Sequence, residues 1–154
     1  MIRIQTEDFD TGAEIKNLVS GKGSIGGVCS FIGLVRDFSG TEPNGESITS
    51  MTLEHYPGMT EKQLEKIETQ ARQRWDLIET LIIHRVGKLM PTEQIVLVAT
   101  AAAHRDAAFE SAKFIMDFLK TEAPFWKKEL GSNGAKWVEA KQSDSAKIKT
   151  WENK

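Results

Sequence analysis

Apolar and polar residues alternate along this 154-residue chain with two different periods, and the switches between them mark out the elements. Ile2–Thr6 alternates with period two and reads as a short strand. Thr11-Gly-Ala-Glu14 has the spacing of a helix capping box, with Ile15, Leu18 and Val19 following at helical intervals. Four glycines between 21 and 27 then make a loop. Val28–Val35 is a β-branched and aromatic run that predicts a buried strand. The polar segment Asp37–Glu46, with Gly40, Pro43 and Gly45, predicts a mobile loop into a second strand over Ser47–His55. Thr60-Glu-Lys-Gln63 is a second capping box, with Met59 and Leu64 placed as a hydrophobic staple, and Leu64, Ile67, Ala71 and Trp75 share one helical face. Leu81–Val86 and Gln94–Ala102 predict two strands joined by a turn at Lys88-Leu-Met-Pro91. Phe109, Ala112, Met116 and Leu119 return to helical spacing, and Pro124 stops that helix near Glu122. Lys136–Lys141 predicts a last short strand, and 146–154 a loosely ordered tail. Strands interrupted by a few helices imply an α+β fold with a largely antiparallel sheet, in one domain over 1–154.

Composition narrows the class. The longest apolar stretch, Ile95–Ala103, falls far short of the ~20 residues that span a bilayer, and Met1–Thr6 alternates instead of forming a leader. The lone Cys29 excludes an internal disulfide and fits a reducing, cytoplasmic setting. The net charge of −2 hides an asymmetry: residues 120–154 carry 8 Lys against 5 acidic groups, whereas the remainder is net −5. A basic end on an acidic body fits a local anionic ligand as well as a solvated lysine-rich tail. It does not fit a duplex nucleic-acid binder, which shows a broad basic surface.

Nucleotide-loop glycine motifs and C-x-x-C are absent from the sequence, and His55, His84 and His104 have no partner at metal-ligand spacing, so neither a metal nor another cofactor is expected. Cys29, inside an apolar strand, reads as a core residue. The candidate chemistry is cationic. His104-Arg105 falls between a strand and a helix, where free N–H groups and the helix dipole favour an anion. Arg105 offers phosphate a planar fork or else pairs with Asp106. Lys120 ends the same helix. Lys127 and Lys128 follow Pro124-Phe-Trp126, read as a proline-anchored turn whose aromatics either hold the ammonium groups or plug the core. Arg36 ends a strand where the polar loop begins.

Several long blocks resemble the catalytic (large) subunit family of molybdopterin synthase: Thr52-Leu-Glu-His-Tyr-Pro-Gly-Met-Thr-Glu61, Ala103-His-Arg105 with Ala108-Phe-Glu110, Phe114 through Lys127, and Trp137-Val-Glu-Ala140. The likeness spans about Gly27 to Asp144. It implies an α/β-hammerhead-like fold with an additional antiparallel β-sheet. It implies a sulfurtransferase of molybdenum cofactor biosynthesis that makes the dithiolene of molybdopterin from cyclic pyranopterin monophosphate. The sulfur would arrive as a thiocarboxylate on the C-terminal Gly-Gly of a small ubiquitin-like sulfur-carrier subunit. The assembly would be a heterotetramer around a homodimer of this chain, without nucleic acid or membrane. Carried over by position, the substrate pocket would comprise Leu34, Val35, Arg36, His104, Arg105, Lys120, Lys127, Lys128 and Glu129. In that reading Arg36, His104 and Arg105 hold the phosphate, Lys120 is the catalytic acid/base, and Lys127 orients substrate or moves protons. Lys141 stands where similar proteins carry an arginine that reaches the neighbouring protomer's pocket; lysine keeps the charge but loses the fork. Two other readings of the same residues are a non-enzymatic anion or single-stranded RNA module stacking bases on Phe125 and Trp126, and a phosphohydrolase with His104 as base.

Overall fold

A computed structural model of the chain describes residues 1–39, 45–138 and 142–154. A four-stranded sheet runs in the order β1 (Ile2–Gln5), β4 (Leu77–Arg85), β6 (Gln94–Ala102), β2 (Gly27–Leu34). Only β1–β4 is parallel. The unbroken apolar character of β6 follows from its central place, because both of its faces are covered. Leu97, Ala99 and Ala101 of β6, with Leu81 and Ile83 of β4, meet Phe9 and Leu18 beside α1 (Thr11–Val19). The alternate positions Val96, Val98 and Ile82 face α2 (Met59–Arg74) and α3 (Arg105–Glu122), against Leu64, Ile67, Ala71, Phe114 and Ile115. Period two in the strands and 3.6 in the helices thus meet in one core.

The second sheet is antiparallel throughout, in the order β5 (Gly87–Leu89), β3 (Ile48–His55), β7 (Phe125–Gly131), β8 (Gly134–Val138). Its inner side buries Val35, Met51, Leu53 and Leu89. The expected turn at Pro124-Phe-Trp126 is instead the start of β7, with Phe125 paired to His55 and Lys127 to Leu53. Proline stops α3, and the chain then extends because a partner strand lies alongside. Of the last predicted strand, β8 ends at Val138, and 139–141 lie outside the described residues. The segment Asp37–Glu46 does join β2 to β3, with its ends tied by a Phe38–Ser47 bridge; residues 40–44 lie outside the described ones.

Both helix starts differ from the capping boxes by a residue or two. Asp10 caps α1, accepting from the Ala13 N–H at 3.0 Å, and Glu14 turns instead to Arg3. Gly58, at φ 84°, caps α2, and Glu61 accepts its N–H at 2.6 Å. Thr60 does not cap; its buried hydroxyl accepts from Tyr56 N–H (2.9 Å) and donates to the Pro124 carbonyl (3.1 Å), tying α2 to the start of β7. Met59 is exposed and makes no staple. The expected loose tail is a helix, α4 (Gln142–Glu152), held by buried Trp151 against Trp75 and Phe114. Its single tryptophan supplies the docking contact that the polar composition around it conceals.

Candidate active site

The end of β2, the end of α3, the inner face of β7 and the first turns of α4 enclose a cavity of about 740 Å³, within the usual range for a small-molecule site. Its floor is apolar, with Met51, Met116, Leu119 and Phe125. Charge enters from the rim. Arg36 stands two residues beyond β2, its guanidinium 4.9 Å from the centre of the Phe38 ring. Lys120 projects from the last turn of α3, one turn after Met116, where the helix dipole also favours a cation. Lys127 lies 3.5 Å from Glu129. On β7 the period-two pleat sends Phe125, Lys127 and Glu129 inward and exposes Trp126, Lys128 and Leu130. From α4, Lys147 joins the wall with Asp144, 3.7 Å apart.

Four cations against two carboxylates make the cavity net positive. Lys147 and Lys127 each have a carboxylate nearby. Among the described residues, Arg36 and Lys120 have none within ion-pair distance, so their charge is available to a ligand. Glu129 is buried, and its Oε2 lacks a hydrogen-bond partner among the described residues.

The structure thus brings together Leu34, Arg36, Lys120, Lys127 and Glu129. It does not bring in the others. Val35 is a core residue packed with Met51 and Leu53. Lys128 points away, its ammonium 5.6 Å from the Trp137 ring. Lys141 lies outside the described residues. His104 is the N-cap of α3 and Arg105 its first residue, whereas Lys120 is fifteen residues on. At 1.5 Å per residue they are ~22 Å apart along the axis. Arg105 is 87% exposed with Asp106 at 3.9 Å, too loose and too solvated a pair to hold either side chain in place. Gly26 fixes this junction to β2, since a Cβ there would sit 2.0 Å from the Ala103 carbonyl oxygen.

Two contributors are hidden from a reading of the sequence. His84 lies in β4 with its ring stacked on Phe125, centroids 3.7 Å apart. Burial pushes its imidazole down to about 4, opposed by the bond from Nδ1–H to the Arg85 carbonyl (2.8 Å) and reinforced by His55. It is neutral at pH 7 and adds no charge. The α4 residues are masked by the polar tail, where only the Ile148–Trp151 spacing of three hints at a helix. Cys29 sits half-buried in mid-strand, and burial raises its thiol above the ordinary range, which suppresses the reactive thiolate. Phe125 and Trp126 face opposite sides of β7 and cannot form one base-stacking platform. His104 is not among the residues that line the cavity of its own chain, so it is not placed there as a base.

The family model for the MoaE protein matches residues 4–122. A protein of Ralstonia nicotianae named molybdopterin synthase catalytic subunit is 56% identical over 150 residues, covering 97% of this chain and 83% of that protein. A solved molybdopterin biosynthesis MoaE protein from Burkholderia ambifaria superposes with a TM-score of 0.82 at 51% identity, covering 98% of this chain and 97% of the other. Molybdopterin synthase from Staphylococcus aureus gives 0.80 at 28% identity over 89% of this chain and 96% of its own.

Proposed function

The chain belongs to the MoaE protein family of molybdopterin synthase catalytic subunits, and from that premise we propose that its cavity is where sulfur passes from a thiocarboxylated carrier to cyclic pyranopterin monophosphate. The observation that carries this reading is the convergence of Arg36, Lys120 and Lys127 on one apolar-floored cavity of about 740 Å³. The flat pterin ring suits the Met51, Met116 and Phe125 floor. Both reactants are anions: the thiocarboxylate at the C-terminal Gly-Gly of a small ubiquitin-like subunit, and the phosphodiester of the substrate. Opening the cyclic ester to a monoester adds further negative charge. Fixed cations in a partly dry site offset that charge without reorganising, which lowers the barrier as well as favouring the product. Lys120, exposed at the helix end with no carboxylate partner among the described residues, is the acid/base beside the incoming sulfur. Lys127, kept in place by strand pairing and Glu129, orients the substrate.

His104 and Arg105 do not line the cavity of their own chain, and they lie ~22 Å along α3 from Lys120. In this reading they serve the cavity of a second copy, within a homodimer that carries one small subunit at each end. The test is turnover by single variants. Lys120→Ala should lower dithiolene formation by roughly a hundredfold or more, the scale of a lost general acid/base, with an unchanged urea midpoint. Lys127→Ala should mainly raise the substrate requirement. A Lys120→Ala enzyme within threefold of the parent would remove Lys120 from the chemistry.

A further inference from the structure

Four polar side chains that line the cavity, Arg36, Lys120, Lys127 and Lys147, can only donate hydrogen bonds. Two carboxylates answer them, with Asp144 beside Lys147 and Glu129 Oε1 beside Lys127. His84 is different. It is 4% exposed, and the pleat of β4 turns it, with Ile82, to the side of the first sheet that meets α3. Its ring lies flat on Phe125, the two planes 13° apart. Nδ1 is 2.8 Å from the Arg85 carbonyl oxygen, which can only accept, so Nδ1 carries the proton. Burial keeps the imidazole neutral at pH 7. A neutral imidazole has a single N–H, and Nε2 is therefore an acceptor whose lone pair lies in the ring plane.

Nothing in the chain answers that lone pair: the Arg85 carbonyl is the ring's hydrogen-bond partner among the described residues. His55, whose charge is felt at His84, turns its own Nε2 to Glu61 at 3.6 Å. Nor is His84 Nε2 sealed from solvent, as the unpartnered Arg3 Nε, Gln70 Oε1 and Glu129 Oε2 are. In a buried ring that lines the cavity, the opening left to Nε2 is the cavity itself. The protein thus holds an acceptor in one tautomer and one orientation, and leaves its donor to come from a ligand.

We propose that His84 Nε2 accepts a hydrogen bond from a ring N–H of the pterin and so fixes which way round the heterocycle lies on the apolar floor. The inference rests on the reading of the cavity given above and adds a binding residue to it. The cations recognise phosphate and thiocarboxylate, and carry no information about the ring. A pterin offers N–H donors along its edge, from the pyrimidine amide, the exocyclic amine and the reduced-ring amines. Because the lone pair runs parallel to the Phe125 face, a donor meets it edge-on from a ring lying flat on the same floor. Glu129 Oε2, an acceptor likewise without a partner among the described residues, shares the inner face of β7 with Phe125. A ring with donors satisfies such acceptors, whereas a ring lacking them leaves them unpaired. That difference discriminates more strongly than apolar fit alone.

Calorimetry on the chain assembled with its small subunit in the unactivated carboxylate form tests this, with cyclic pyranopterin monophosphate and inorganic phosphate as probes. His84→Phe keeps a flat ring but removes the acceptor. It should bind the pterin roughly tenfold more weakly or worse, bind phosphate as the parent does, and unfold in urea at a midpoint no lower than the parent's at neutral pH. His84→Gln, which returns an amide oxygen to about the reach of Nε2, should recover most of the lost affinity. Equal weakening by the two variants, or equal weakening towards both probes, marks a structural histidine and overturns the inference. In the parent, the 15N resonance of Nε2 should stand in the range of a non-protonated ring nitrogen and move towards the protonated range on adding the pterin. A resonance that stays in place overturns the inference without any substitution. Arg36→Ala separates the two levels of argument. Pterin binding weakened in Arg36→Ala but unchanged in His84→Phe rejects His84 and keeps the cavity; binding unchanged in both rejects the cavity and His84 with it.

Discussion

His84 and Lys120 line the same cavity with opposite consequences of environment. Lys120 is at the surface end of a helix, while His84 is buried flat against Phe125. Because burial holds the folded imidazole at about 4 against 6.5 unfolded, the unfolded chain binds more protons between those values. Stability contributed by neutral His84 is therefore complete above pH 6.5 and declines as pH falls towards 4. Between pH 7 and pH 5 the loss is on the order of 2 kcal/mol from this group alone. Urea unfolding of the parent and of His84→Phe should show a shallower acid decline in the variant; parallel declines would mean the imidazole takes up its proton in the folded state. Single residues are unevenly legible in the sequence. Arg36, Lys120 and Lys127 lie far apart in the chain, and only the family blocks tie them to one site. Lys128 enters the expected pocket by the same likeness of position as Lys127, although neighbours on a strand point to opposite faces.

Strongly periodic elements are legible almost to the residue. β6 and the end of α3 coincide with expectation because an apolar run and a proline are unambiguous signals. Elements fixed by tertiary contact are not. The strand β7 forms because β3 lies beside it, and α4 because Trp151 finds a slot between α2 and α3. Trp151 is 2% exposed and donates from Nε1 to Asp117 Oδ2 at 2.9 Å, with Phe114 edge-on at 5.4 Å. Since α4 also brings Lys147 to the cavity wall, its docking links stability to the site. Trp151→Ala should cost about 3–5 kcal/mol and release the amides of 142–152 to fast hydrogen exchange. A loss below about 1 kcal/mol with protected amides would show that α4 docks without its tryptophan.

At the scale of the whole molecule, the asymmetry of charge acquires a location. Lys120, Lys127 and Lys147 from the basic C-terminal end converge with Arg36 on one side of an otherwise acidic body. Anions are drawn to one mouth and not to a broad basic face. The distance between Arg105 and Lys120 is already written in the sequence, since fifteen residues of continuous helix fix their separation. A likeness by position still assigns both to one pocket, because it compares residues along the chain and carries no distance between them. In the proposed reading sulfur comes from outside the chain, which fits a Cys29 that is half-buried in mid-strand with its thiol raised above the ordinary range by burial. The decisive measurement combines these points: the Cys29→Ala chain is mixed with a thiocarboxylated small subunit and cyclic pyranopterin monophosphate, and the products are quantified by mass spectrometry. The expected result is a pterin dithiolene at the parent's yield, with two carrier thiocarboxylates converted to carboxylates for each pterin. A pterin recovered without sulfur, or a yield lost in the folded Cys29→Ala chain, would contradict direct transfer from the carrier within this cavity.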